Sequence, residues 1–349
     1  MPVFSIEHLR QVGAAIFAAA GAPPKEADVV AKLLADANVV GHDSHGVIRI
    51  PQYISTIEKG EIVPHAEVEI VRQTTAAAVL DGHWGFGQVV MNQAVEMGLE
   101  RAGNCGVAAI TVKNANHIGR LGSYVEHIAE ANMIGLLCAN SHGGGASVAP
   151  WGGIAGRLGT NPLAGGWPDG EGGALVLDIT TSVVAEGKVR VKRNRGEPVP
   201  EGWIIDAAGR PSTDPADFYD EPRGSLLPFG GLMGYKGYGL GVVVELLGGA
   251  LSGAGCARGR KARIGNGCFL LVIDIGRFQP FAEYAAQVRA FADYLRSSPK
   301  AEGVDAILLP GELEKQERER RQAGVTVEEE TWRQILDCAH RVGAVLPSV

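Results

Sequence analysis

The stretch Gly85-Phe86-Gly87-Gln88-Val89-Val90 decides what kind of fold this chain can have. It follows a short apolar run at 76–80 that reads as a buried strand, and it opens a helical pattern at 88–101. A strand, a glycine-rich turn and a helix together form the usual cradle for a dinucleotide pyrophosphate. Here the cradle is incomplete. The third glycine position holds Val90, and the next strand ends Val112-Lys113-Asn114, with no acidic side chain for a ribose hydroxyl. The run from Gly237 to Gly241 (G-Y-G-L-G) lacks a strand before it, and no G-x-x-x-x-G-K-S/T loop occurs. A Rossmann domain and a P-loop are both set aside.

Outward from that stretch, short apolar runs at 107–112, 134–139 and 175–179 read as further buried strands. Helical patterns at 122–131 and 238–251 alternate with them. The first 60 residues read as helical. Ser5 can cap a helix through Ala20, Pro23 and Pro24 break it, and Val29, Val30, Leu33, Leu34 and Ala37 fall at helical spacing in 25–40. Strand character returns at 269–273, before helices expected at 281–297 and 331–342, the latter stopped by Gly343. The expected fold class is α/β: a helical domain from both chain ends, residues 1–75 and 254–349, with an α/β cofactor domain at 76–253 between them.

The 349 residues carry a formal charge of −7 with the basic residues dispersed, which argues against a nucleic-acid footprint. The 49 glycines are about twice the usual share and point to tight turns and close backbone approaches. The cysteines, at 105, 138, 256, 268 and 338, are odd in number and form no C-x-x-C pair. That pattern favours a reducing compartment, hence a cytoplasmic protein, over a disulfide framework. The apolar segment 12–22 imitates a signal core, but Glu7 and His8 precede it and an alanine-rich helix explains it as well. No uninterrupted apolar run reaches the roughly 18 residues of a membrane span.

The segment 41–53 (G-H-D-S-H-G-V-I-R-I-P-Q-Y) concentrates chemistry. His45 can exchange a proton near neutral pH, and Arg49, four residues on, can grip a carboxylate with a two-pronged fork. If the segment is helical, both project from one face. Other polar groups sit among glycines. Asn116 to Gly122 precedes a helix whose free amides could receive phosphate. Segment 141–145 and Gly159-Thr160-Asn161-Pro162 follow the third strand. Asp178 to Ser182 closes the fourth, Lys236 lies between Gly234 and Gly237, and Leu309 to Glu312 ends the last apolar run.

In this order, the motifs G-H-D-S-H-G, N-H-I-G-R-L-G, G-T-N-P, L-D-I-T-T-S, G-Y-K-G-Y-G-L and L-P-G-E resemble the type-2 malate/L-lactate dehydrogenases, bacterial hydroxycarboxylate dehydrogenases especially. The resemblance spans about residues 4–343. It implies an NAD(P)-binding domain on a mostly antiparallel, non-Rossmann sheet, and a homodimer. It places His45 at the nicotinamide and makes His117 a second acid/base candidate. It also implies cofactor contacts from Gly119, Arg120, Leu121, Ser141, Asp178, Ile179, Thr180, Thr181, Ser182, Lys236, Leu309, Pro310, Gly311 and Glu312, with Asn266 on a weaker local match. Val183-Val184 departs from the Ala or His often found there in the family, so no substrate contact is carried over to them.

Each candidate has a plainer reading. His45 is a proton donor or a structural histidine at a helix start. His117 transfers a proton or only hydrogen-bonds substrate or cofactor. Arg49 clamps a substrate carboxylate or makes an ion pair, with Asp43 in reach. Lys236 meets a cofactor phosphate or is a solvated lysine. Asp178 accepts from a ribose hydroxyl or caps the following turn. His42, Asp43 and His45 could ligate a metal, but hydride chemistry needs none and no further Cys/His cluster stands near. No G-x-S-x-G elbow supports a serine hydrolase. The expected activity is interconversion of 2-oxo and 2-hydroxy acids with NAD or NADP, His45 and His117 handling the proton and Arg49 the carboxylate. The alternatives are a reductase of a cyclic imino acid such as Δ1-piperideine-2-carboxylate, a ureidoglycolate-type dehydrogenase, and a dinucleotide-binding protein without catalysis.

Overall fold

The apolar runs read as strands all enter one mixed sheet. A computed structural model describes residues 1–143, 146–258 and 263–347, so the last two glycines of segment 141–145 lie outside the described residues. The sheet comprises β2 (Glu69–Gln73), β3 (Ala77–Asp81), β4 (Val107–Ala115), β5 (Met133–His142), β6 (Leu163–Pro168), β7 (Ala174–Ile179) and β11 (Gly265–Asp274). Their spatial order is β2-β3-β4-β11-β5-β6-β7. β3 and β4 run parallel, joined by α4 (Gly87–Cys105), and the other neighbours are antiparallel. The sequence reading misses β6, because Gly165 and Gly166 dilute its apolar run.

The strand expected at 269–273 is β11. It belongs to the segment 254–349, assigned to the helical domain, yet it lies at the centre of the sheet and pairs with β4 on one side and β5 on the other. Such a strand is buried on both faces and reads as an apolar run whose partners no local pattern reveals. β2, within the segment 1–75, likewise belongs to the sheet as its edge.

Strand alternation sends successive residues to opposite faces. Leu270 and Val272 of β11 pack against α4 at Gly98, in a core with Leu80, Ile110, Met91 and Val95. α5 (Gly122–Glu130) adds Tyr124, Val125 and Ile128 to it. Gly267, on the other face, meets a π-helix, Glu245–Leu251, that continues α8 (Tyr235–Val244). The sequence reading has one helix at 238–251; the structure starts it earlier and changes its pitch at Glu245.

A second core gathers α1 (Ile6–Ala19), α2 (Pro24–Val39), α3 (Ile50–Glu58) and α11 (Glu329–Val342). Ser5 caps α1 by accepting the His8 N–H at 3.1 Å. β1 (Val3–Phe4) pairs with β12 (Val325–Thr326) and joins the two chain ends. A third, smaller core surrounds α6 (Glu186–Arg195), α7 (Ala216–Tyr219) and the sheet of β8 (Ile204–Ile205), β9 (Pro211–Ser212) and β10 (Ser225–Leu226). α9 (Phe281–Arg296) and α10 (Glu312–Arg320) complete the chain.

The stretch 85–90 is where the first two cores meet. Phe86 is buried in the helical core, 5.8 Å from Phe17 between ring centroids. Gly87 lies against the backbone of Asn116 and His117: a Cβ there would clash with the Asn116 carbonyl oxygen and lie 2.5 Å from that of His117. The glycine makes room for the protein's own loop. Gly87→Ala is expected to lower the unfolding free energy by about 1–3 kcal/mol, read from the urea midpoint; an unchanged midpoint would mean that the loop yields freely.

Candidate active site

Gly46 breaks segment 41–53 into two single 3-10 turns, Asp43–His45 and Val47–Arg49. The continuous helix considered for His45 and Arg49 does not form, because the Gly46 backbone is extended (ψ −155°) and Asn38 crowds the space a side chain would need. Asn38 Oδ1 accepts the Val47 N–H at 2.8 Å and fixes the break. α3 begins at Ile50 and carries Tyr53 into the helical core with its hydroxyl facing the sheet.

Across from these turns, the loop after β4 presents His117. Asn116 holds that loop by donating to the carbonyls of Glu61 (3.1 Å), Trp84 (2.6 Å) and Gly85 (3.2 Å). The His45 and His117 rings stack with centroids 5.5 Å apart and planes inclined by 19°. Tyr53 Oη lies 2.6 Å from His117 Nδ1, and Gln88 Nε2 donates to the same Tyr53 oxygen at 2.8 Å. With its oxygen taken, the tyrosine donates its hydroxyl hydrogen to Nδ1, which leaves the His117 proton on Nε2. Ser44 Oγ lies 3.1 Å from His45 Nδ1.

Tyr53 and Gln88 escaped the sequence reading of roles. The signal for Gln88 was available: a polar residue in the apolar first turn of a helix, directly after the glycine turn. In the structure it is fully buried.

Burial pushes the His45 imidazole down to about 3, with Arg49, His42 and Arg120 adding to the effect. Burial and the charges of Arg49 and His45 lower His117 well below its usual range. Both rings are therefore neutral near pH 7. Burial pushes the Tyr53 phenol up to about 12, so it keeps its hydrogen. Arg49 donates to the Ser44 carbonyl and the Gln52 side chain, each at 2.6 Å, and to no carboxylate among the described residues. Asp43, the partner considered for it, is bound instead by Arg321 at 2.7 Å.

The other candidates form a second cluster. Arg120 is buried and clamps Glu126 in two bonds of 3.1 and 2.7 Å, with Asp178 3.6 Å from its Nε. Asp178 Oδ2 accepts the Gly122 N–H at the start of α5 at 2.8 Å. That amide, read as free for a phosphate, is taken by the protein's own carboxylate, and Asp178 caps α5 rather than the turn after it. Burial raises the Asp178 carboxyl while Arg120 pulls it down. Thr180, Thr181 and Ser182 bond backbone carbonyls of Ser182, Thr160 and Val184, and Ile179 pairs with Leu163 in the sheet.

Leu309 to Glu312 packs on the sheet edge, the Pro310 carbonyl accepting the Val176 N–H at 3.0 Å. Glu312 receives the Leu309 N–H at 2.7 Å, and Gly311 (φ +93°) lies against Val176. From α10, Glu314 reaches His42 at 3.0 Å, a bond that holds its carboxyl below the usual range. Asn266 lies opposite Ser141 on one side and Ala115 on the other, and its Oδ1 accepts the Ile118 N–H at 3.1 Å. Lys236 stands apart, exposed at the start of α8 and in no ion pair among the described residues.

A cavity of about 540 Å³ borders this second cluster, with Glu126, Val176, Gly311 and Glu314 in its wall, but it does not include the histidines. Two wider crevices, lined from 296–319 and from β2 and α4, also lie away from them. Arg49 lines none of the three either.

The malate/L-lactate dehydrogenase family profile matches residues 4–336. Hydroxycarboxylate dehydrogenase B of Escherichia coli strain K12 is 36% identical over 97% of this chain and 94% of its own length. L-Lactate dehydrogenase of Cupriavidus necator is 36% identical over 99% of both chains. Among solved structures, a putative malate/lactate dehydrogenase from E. coli superposes with TM-score 0.93 at 35% identity, over 99% of this chain and 96% of that one.

Because the unfolded His45 titrates near 6.5 and the folded one near 3, the unfolded chain takes up the extra proton between these values. Stability must fall as pH drops through that window. His45→Gln is expected to flatten the decline in denaturant-derived stability between pH 6.5 and 4 by up to one proton. Parallel declines in both proteins would contradict the buried, neutral assignment.

Proposed function

The chain belongs to the malate/L-lactate dehydrogenase family, and on that premise we propose that it interconverts 2-oxo and 2-hydroxy acids with NAD or NADP. One observation carries the proposal: two stacked, neutral imidazoles stand under the electrostatic influence of an arginine that hydrogen-bonds no carboxylate among the described residues.

When bound, the nicotinamide supplies a hydride to the carbonyl carbon of the oxo acid or takes one from the carbinol carbon of the hydroxy acid. The residues present fit such a group: two imidazoles, the strand-end groups Ser141 and Asn266, the bare backbone of Gly119 (φ +80°) and the unpaired Lys236 all offer polar contacts. We assign these to the cofactor, along with Leu121, the β7 end from Asp178 to Ser182, and Leu309 to Glu312. Arg120, already committed to Glu126 and Asp178, holds that wall together.

Arg49 keeps unused N–H groups after its bonds to Ser44 and Gln52, and these take the substrate carboxylate. The docked carboxylate has a second effect. Arg49 lowers the proton affinity of both His45 and His117. Pairing that charge offsets the effect, so both rings become better bases when substrate is present. In oxidation a neutral ring accepts the hydroxyl proton and becomes imidazolium; in reduction that imidazolium, its proton taken up from solvent, gives it to the substrate oxygen and returns to neutral. Tyr53 and Gln88 hold the His117 ring, whose Nδ1 hydrogen turns to Tyr53 when Nε2 serves the substrate, and His45 lies close enough to share the task.

The largely antiparallel sheet and the occupied Gly87 turn support a non-Rossmann cofactor domain, with the helical core of α1, α2, α3 and α11 as the second domain. We place the protein in the cytoplasm as a homodimer. Free cysteines support the first, and the exposed apolar residues Leu240, Val243, Leu246 and Leu251 support a second copy as their cover.

The test is a nicotinamide absorbance assay with L-malate, L-lactate, sulfolactate and Δ1-piperideine-2-carboxylate, each with both cofactors. Turnover of hydroxy acids but not of the imine is expected, and no turnover of any member would sink the proposal. His45→Ala and His117→Ala should each cut kcat by about 100-fold or more while cofactor affinity holds. Arg49→Lys should chiefly raise KM, since the fork is lost; an unchanged KM would remove Arg49 from the substrate. In the oxidative direction, the acid limb of kcat should lie at higher pH than that of kcat/KM, because substrate offsets Arg49. Coincident limbs would contradict that coupling.

A further inference from the structure

On the other side of the sheet from α4 lies a carboxylate that meets no cation among the described residues. Glu245 opens the π-helix and is 4% exposed. Its Oε1 accepts the Asn161 side-chain N–H at 3.0 Å. Its Oε2 accepts the Asn140 side-chain N–H at 3.0 Å and the Ala257 backbone N–H at 3.0 Å. Every bond to its oxygens comes from an N–H donor, so both oxygens act as acceptors. The π-helix is seated tightly: a Cβ at Gly248 would lie 2.7 Å from the Gly267 carbonyl, and one at Gly249 2.6 Å from the Asn140 amide nitrogen. Single π turns within α-helices are frequent at functional sites.

Asn140 carries the contact onward. Its Oδ1 accepts the Gly267 N–H at 3.1 Å, and its backbone carbonyl accepts from Asn266 Nδ2 at 2.8 Å. Asn266 Oδ1 in turn accepts the N–H of Ile118 at 3.1 Å, the residue next to His117. The other arm runs through Asn161. Its neighbour Thr160 accepts from Thr181 twice, from the backbone at 2.9 Å and the hydroxyl at 3.2 Å. One carboxylate thus braces the loop that bears His117 and the end of β7.

We infer that Glu245 is a positioning residue for the dehydrogenase reaction: by fixing Asn140 and, through Asn266, the Ile118 amide, it sets the place of the His117 ring. Its catalytic half rests on the proton role proposed for His117. Removing an acceptor here leaves buried N–H groups unpaired, at a cost that the bonds leading to the Ile118 amide share.

Glu245→Gln keeps the shape but turns an NH2 toward N–H donors. In the protein without cofactor, the Ile118 amide should exchange with deuterium at least tenfold faster than in the wild type, while amides 108–112 of β4 keep their rates. In the assay, kcat should fall at least tenfold with KM for the hydroxy acid within twofold, because Arg49 is not on the chain of bonds. Wild-type Ile118 exchange in folded E245Q overturns the inference. Should E245Q fail to fold, Asn266→Ser cuts the same chain one link nearer His117 and is held to the same exchange criterion. His117→Gln is assayed alongside. A wild-type kcat there removes the proposed proton role and the catalytic half of the inference together, whereas unchanged exchange in E245Q removes the inference alone.

Discussion

A missing side chain at residue 87 governs how the two main cores meet. Because Gly87 has no Cβ, the backbone of Asn116 and His117 can lie directly on the first turn of α4. That contact brings Gln88 under Tyr53, and Tyr53 against His117. The phenol belongs to the helical core and the imidazole to the sheet, so their hydrogen bond crosses the junction. Phe86, one residue earlier, anchors the same turn in the helical core. Displacing the loop would disturb the packing and the histidine together, which is why the glycine turn matters here although it does not form a phosphate cradle.

Charge is arranged in two contrasting ways around that junction. In the second cluster, charges are already matched, Arg120 with Glu126 and Asp178 and Arg321 with Asp43, while Glu314 bonds His42. Matching of this kind holds loops from distant parts of the chain in place. At the histidine pair, the balance is left open. Among the described residues Arg49 hydrogen-bonds neutral groups only, and its field falls on the neighbouring rings. An anion that completes the balance is worth more there than at a surface, where water screens it.

Much of this was legible in the sequence because it was local. Apolar runs marked five of the seven strands of the main sheet, prolines and Ser5 marked the first helix boundaries, and six short motifs marked the order of polar segments. The incomplete fingerprint at Val90 was informative for the same reason: a turn motif must be complete within a few residues to work. What could not be read was long-range. β11 offers the same apolar pattern whether it lies at an edge or at the centre, and only its two neighbours distinguish these. The occupation of the Gly122 amide by Asp178 joins residues 56 apart in sequence. Gln88 gave a signal, a polar residue in an apolar turn, but not its partner. Arg49 and His45 could be paired as candidates, yet the break at Gly46 depends on Asn38 from the preceding helix.

The position of β11 also bears on how the molecule comes into being. β4 and β5 are complete by residue 142, yet neither can bond to the other; the strand that belongs between them begins at residue 265. On a ribosome, more than a hundred further residues must emerge before that slot is filled. Until then two apolar strands keep unpaired edges side by side, the condition under which nascent sheets cross-pair with foreign strands. The domain therefore cannot mature progressively from its N-terminus. It closes in one late event, and a chain ending between residues 241 and 264 would retain five of the six motifs without a sheet able to hold them.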